Sequence, residues 1–241
     1  MGMTERFADD GVQRRMKPGF VLVQAAVVAV VLAAQSPGAR SQSMVIEECG
    51  PLQNAFGPFD YRNPKFKREL LVVETHHFTP DIASLRHGHT TTRAAGDINY
   101  TLRAFPNHHL ALNAIVKLSL REKKARPAGS TDTVDGWVDR AMRFTPTDAN
   151  VRILYGAYLH QIGKREDALR ALKSAEKLGE DGGNFHYNIA LAYIDLGQHD
   201  LALEHAHKAY ASGMTLPGLK RKLEQAGKWK EPAAVVPKPA E

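Results

Sequence analysis

Between residues 149 and 213 apolar side chains recur at intervals of three and four, and the whole pattern recurs with a period of about 34. Val151, Ile153, Leu154, Ala157, Tyr158 and Leu159 form a wide stripe over 150–162, which predicts a helix rather than the alternation of a strand. Gly163 tolerates the positive φ that ends such a helix. A second stripe of Ala168, Leu169, Leu172, Ala175 and Leu178 predicts a helix over 167–178, closed by Gly179. The design then repeats, with helices predicted over 185–196 and 200–211 on either side of Gly197. Ala168-Leu169 returns as Ala202-Leu203, Ala175 as Ala209, Gly156 as the equally small Ala190, and Leu159 as Tyr193. Small residues at Gly156, Ala168 and Ala175 are expected where helices cross most closely, because larger ones would part the axes and leave voids.

Taken together, Tyr155-Gly156, Leu159, Gly163, Ala168, Leu172 and Ala175 in the unit at 149–182 resemble the tetratricopeptide repeat, a helix–turn–helix unit of this length. Ile189-Ala190, Tyr193, Gly197, Ala202, Ala206 and Ala209 repeat the resemblance in the unit at 183–215. Both units depart from the family near their ends, where Glu180 and Met214 stand in place of the usual proline. The resemblance implies an all-α fold wound as a right-handed superhelical solenoid.

Upstream the pattern is weaker. Leu110, Leu112, Ile115, Val116, Leu118 and Leu120 predict a helix over 109–122. Residues 137–146 read as its partner, with Ala141 one full period before Ala175 and Pro146 where the helix should stop. The connection 123–133 is long and rich in Gly, Pro and Ser, so this unit carries an insertion. A further degenerate unit is read from Asp81 to Pro106, so that 76–148 holds the degenerate units and the total is three to four. A capping helix is predicted over 216–229, with Leu219, Leu223 and Trp229 on the last unit and Lys220, Arg221, Lys222 and Glu224 in solvent. The proline-rich 230–241 is expected to stay disordered.

Arg14, Arg15 and Lys17 precede the uncharged run 20–34, the layout of a signal peptide, with cleavage expected after Ser41 or Ser43. Met16 offers an alternative start. The alternative fate of the segment is an uncleaved anchor over 18–38, although its apolar run falls short of the ~20 residues of a spanning helix. Either way the body is expected outside the cytoplasm, in the periplasm of a bacterial envelope. Cys49 is the one cysteine, so no internal disulfide forms, and Ile46-Glu47-Glu48 lacks the small apolar residues that precede a lipid-anchored cysteine. It reads as an inert, partly buried thiol. The formal net charge of +6 is spread along the helices. Removing 1–43 lowers it further, which argues against a nucleic-acid surface.

The segment 44–75 breaks the pattern. Prolines, glycines and aromatics crowd 49–67, and so irregular but apolar a stretch is expected to lie across the first helices like a strap. Glu69-Leu70-Leu71-Val72-Val73-Glu74 is either a short strand or a helix start. The strings GPFDYR, HHFTP and YTLRAFPNHH are similar to a group of exported bacterial repeat proteins, a resemblance that adds nothing on function. Six of the eleven histidines fall in 76–109 as close pairs: His76 with His77, His87 with His89, and His108 with His109. Imidazoles in such pairs are potential ligands for zinc, copper or nickel. Adjacent histidines on one helix point about 100° apart, however, and no cysteine or carboxylate joins them at a metal-site spacing.

The expected function is a non-catalytic scaffold that binds another protein or peptide, with no cofactor, no nucleic acid, and a membrane only through an uncleaved N-terminal segment. In the family the concave groove is lined from the first helices. The resemblance places Asn150, Ile153, Ala157, His160 and Gln161 there, followed by Asn184, Tyr187, Asn188, Leu191, Ile194 and Asp195. A carboxylate-clamp groove is not expected, because only Asn184 and Asn188 fit it and no Lys or Arg joins them. The alternative is a metal- or cofactor-handling protein using the histidines of 76–109. Nucleophile elbows, phosphate loops and Cys–His pairs are absent, which argues against an enzyme.

Overall fold

The computed structural model describes residues 49–232, so the leader expectations for 1–43 and the tail beyond 232 lie outside the described residues. Ten α-helices and no strand occur among the described residues. They are α1 (Lys67–His77), α2 (Pro80–Ala83), α3 (Ala94–Ala104), α4 (His109–Glu122), α5 (Val134–Phe144), α6 (Ala149–Gln161), α7 (Arg165–Glu176), α8 (Gly183–Asp195), α9 (His199–Ala211) and α10 (Gly218–Gln225). None of these helices is long and apolar enough to cross a membrane.

Helix α6 packs along α7, and α8 along α9. Gly163 (φ 82°) and Gly197 (φ 70°) end the first helix of each pair in the left-handed region. The Gly163 N–H donates to the His160 carbonyl at 3.0 Å and the Lys164 N–H to that of Leu159 at 2.8 Å. Gly197 and Gln198 donate in the same way to Ile194 and Tyr193, a double closure that satisfies the last carbonyls of the helix. A Cβ on Gly156 would sit 2.8 Å from Leu172 Cδ2 and 3.2 Å from the Ala168 carbonyl oxygen. The missing side chain is therefore what lets α6 and α7 approach so closely. The helices α4, α6, α8 and α10 contact one another in succession, over a core that runs through Ile115, Trp137, Tyr155, Leu172, Tyr193 and Leu223.

Glu180, in the usual proline position of the resemblance, caps its own repeat. Its carboxylate accepts from the Ala149 N–H at 2.9 Å and from Asn150 Nδ2 at 3.3 Å, and pairs with Arg62 at 3.3 Å. Asp148, the N-cap of α6, accepts from the Asn150 N–H at 3.2 Å. Two carboxylates thus meet the positive end of one helix.

Several boundaries differ from the sequence pattern. Residues 69–74 are helical, within α1: Leu70 and Val73 turn inward, while Leu71 and Val72 are exposed. Four apolar residues in a row carry no period, which is why the sequence left strand and helix open. Helix α5 begins at Val134, because Thr133 Oγ1 accepts from the Gly136 N–H at 3.0 Å and caps it from inside the stretch read as loop. The unit read from Asp81 to Pro106 consists of the single turn α2 and of α3, joined by irregular chain. The closing helix α10 is only eight residues long and ends before Gly227 (φ 65°). Leu219 and Leu223 are fully buried, one full period after Phe185 and Ile189, so α10 stands where a further first helix would begin.

Residues 49–66 cross α3, α4 and α5. The Arg140 guanidinium donates to the carbonyls of Pro51 and Leu52, and Arg143 Nη2 to that of Gly50 at 2.9 Å. Further along, the Phe59 N–H donates to the Ala104 carbonyl at 2.8 Å and the Tyr61 N–H to Asn107 Oδ1 at 2.9 Å. Phe56, Phe59, Phe66 and Leu70 cover Val73 and Phe105 in a small second core.

Candidate binding surface

The family-derived positions are spaced by three and four residues, so those on α6 share one face and those on α8 share another. The two helices are neighbours. The structure divides the set. Ile153 is 6% exposed and belongs to the core. Asn150 is held by Glu180. Asp195 pairs with Lys222 of α10 at 3.2 Å, and the Tyr187 hydroxyl lies against Gly218, where a Cβ would come within 2.9 Å of it. These residues serve packing and the seating of α10, a helix the sequence reading did not place against this face. What stays open is a strip in which half-buried Ala157, His160, Leu191 and Ile194 adjoin exposed Gln161, Asn184 and Asn188.

The histidines of 76–109 do not converge. The centre of their segment is a carboxylate, that of Asp97 in the first turn of α3, which is fully buried. It accepts from the backbone N–H groups of His89, Thr90 and Thr91, from both threonine hydroxyls, and faces His77 Nδ1 at 3.1 Å. Burial raises the Asp97 pKa, but the Thr90 hydroxyl, the His89 N–H, Thr91 and His77 outweigh it and bring it down to about 2. His89 Nδ1 meets the His76 carbonyl at 3.0 Å, and His87 faces Asp81 at 3.5 Å. His108 caps α4, its Nδ1 accepting from the Ala111 N–H at 3.1 Å, and its Nε2 meets Glu74 at 3.1 Å. His109 meets Asp148 at 2.9 Å. The carboxylate of Asp148 is depressed: burial raises its pKa, while His109, Asn107 and Arg62 together prevail. Among the described residues no group of three or more His, Cys, Asp or Glu side chains could hold a metal ion. His77 and His89 join at Asp97, with His89 also on the His76 backbone carbonyl, while His87, His108 and His109 bond Asp81, Glu74 and Asp148 elsewhere.

One arrangement escaped the sequence reading. Glu176 of α7, His186 and Tyr193 of α8, and His205 of α9 meet between the two helix pairs. His205 is 5% exposed; its Nε2 lies 2.8 Å from Glu176 Oε1 and its Nδ1 lies 2.9 Å from His186 Nδ1. The Tyr193 ring stacks on that of His205 with centroids 5.9 Å apart. The sequence separation of His186 and His205 has no meaning on one helix. It brings them together only because α8 and α9 run back along each other.

These features define an all-helical protein of packed helix pairs with an open apolar–amide strip on its first helices. Compared with protein-family models, with curated proteins and with solved structures, the chain has no significant match.

Proposed function

We propose that this chain is a non-catalytic binding scaffold of the bacterial cell envelope, a right-handed solenoid of tetratricopeptide-like units that takes a segment of another protein along α6 and α8. The observation that carries the reading is the strip itself. Gln161, Asn184 and Asn188 are exposed beside half-buried Leu191 and Ile194. No side-chain hydrogen bond within the described residues engages these three amides, which are therefore available to an extended or helical peptide. Apolar anchors flanked by free amides suit a partner with a few apolar side chains and an accessible backbone. The exported, periplasmic location rests on the leader-like 1–43.

The test is in-cell photo-crosslinking from position 161, comparing the intact chain with an Asn188→Ala plus Leu191→Glu variant that keeps its helical circular dichroism. One envelope protein, crosslinked by the intact chain and lost with the variant, is the expected result. Identical crosslinking by both chains would remove the strip as the binding surface.

A further inference from the structure

At the end of the described residues, α9, α10 and residues 229–232 border an open apolar recess of about 910 Å³. Tyr210 and Ala211 of α9, Lys220 of α10 and Trp229 line it. The internal repeat identifies this space. A shift of one period carries Glu176 onto Tyr210 and His186 onto Lys220. One repeat earlier, Glu176 and His186 both hold His205, at 2.8 Å and 2.9 Å. They are the two positions, on the preceding second helix and on the first helix of the same unit, between which α9 is seated. Helix α10 is the matching first helix of the next unit, with Leu219 and Leu223 repeating the buried Phe185 and Ile189. Tyr210 and Lys220 therefore face the place of one more second helix, and the recess is that place.

We propose that the recess docks an amphipathic helix of a partner protein, seated as α9 is seated, with small residues toward α9 and α10 and a carboxylate opposite Lys220. The small residues follow from the repeat, since α9 presents fully buried Ala202, Ala206 and Ala209 on its seated face. The carboxylate follows from charge. Lys208 and Lys220 line the recess against the single carboxylate of Glu231. Lys220 Nζ already takes the Glu231 carboxylate at 2.9 Å, an ion pair that an incoming acid can replace. The Trp229 ring, with Lys220 Nζ 4.9 Å from its centroid and the Tyr210 ring 5.9 Å away, gives the aromatic wall that a docked helix needs. This site is separate from the strip on α6 and α8.

The probe is a helix-stapled, fluorescein-labelled peptide of residues 198–212 carrying His205→Glu, titrated against the full chain by fluorescence anisotropy. Saturable binding is expected. It should weaken at least roughly tenfold when the peptide keeps His205, because the charge-assisted bond to Lys220 is lost. It should also weaken on Ala211→Trp, which fills the recess from an exposed position and leaves the fold and its melting intact. Absence of saturable binding, or equal binding by the intact chain and the Ala211→Trp variant, would overturn the proposal. Binding that arises only after deletion of 229–241 would overturn it too, by assigning the recess to the chain's own C-terminal residues.

Discussion

The Nδ1 of His186 lies 2.9 Å from the Nδ1 of His205, so the pair is held by a single shared proton. With both rings neutral every donor is used: His186 Nδ1–H donates to His205, and His205 Nε2–H donates to Glu176. Protonating both rings sets two N–H groups against each other. In the folded chain the His186 pKa is lowered, first by burial, then by His205 and Lys208, with Asp181 and Glu204 opposing. A folded pKa below the unfolded value of about 6.5 means that the unfolded chain takes the proton more readily. The contribution of this group is complete above about pH 6.5 and is lost as pH falls through the lower folded value. Urea melts should therefore show His186→Phe about 1 kcal/mol less stable than the parent at about pH 7.5, with the gap narrowing as pH falls below about 6.5. A gap that ignores pH would refute the shared proton.

Asp97 has the same direction of shift in an acid. Its folded pKa of about 2 lies below the ordinary 3.8. Its stabilisation is thus present above pH 3.8 and disappears as pH falls through about 2, for a total of about 2 kcal/mol. Asp97→Asn keeps the shape but loses the charge that gathers three backbone N–H groups and two hydroxyls. It should cost about 2 kcal/mol in chemical denaturation near neutral pH, and hydrogen exchange at 88–92 should quicken. Unchanged exchange there would show that the loop is held by something else.

Cys49 donates its thiol to Asp132 at 2.9 Å, and burial together with that carboxylate pushes its pKa up from 9.0 to about 12. The thiolate is the reactive form, so iodoacetamide at about pH 8 should leave the native protein unlabelled and modify it fully in denaturant. Asp132→Asn removes the charge and leaves only a weaker amide acceptor, and should speed native labelling. Fast labelling of the unaltered native chain would contradict the buried, protonated thiol.

The legible parts of the fold were those written in neighbouring residues. Helix α4 occupies the predicted 109–122, and the turns at Gly163 and Gly197 and the tight crossing at Gly156 follow from local period and side-chain size. Partners from distant sequence were not legible. Glu180 was visible only as a departure from the repeat, whereas in the fold it caps α6 from the far end of its own unit. The histidine pairs suggested shared ligands, yet the rings of His77, His87, His89, His108 and His109 meet five different groups, and Asp97, which organises their loop, carries no periodic signal. Helix α10 was foreseen as a cap, but its position over Tyr187 and Asp195 depends on stacking, and stacking decides which groove positions remain open.

Arg140 shows how far the irregular N-terminal segment contributes to the helical body. The side chain is 3% exposed, and its guanidinium reaches the carbonyls of Pro51 and Leu52, with the Arg103 carbonyl at 3.5 Å. Its pKa is lowered, chiefly by burial, so the cation is kept in place at a desolvation cost that the carbonyl bonds offset. Arg140→Met preserves the apolar stem and strands those carbonyls. The expected loss is about 3 kcal/mol, with earlier proteolytic cleavage in 49–63 than in the helices. Arg143→Met removes one bond to Gly50 and the ion pair with Asp139 on its own helix, both from a more exposed position, and should cost less than Arg140→Met. Equal losses for the two variants, or unchanged cleavage of 49–63, would mean that the aromatic cluster of Phe56, Phe59 and Phe66 alone holds the segment down.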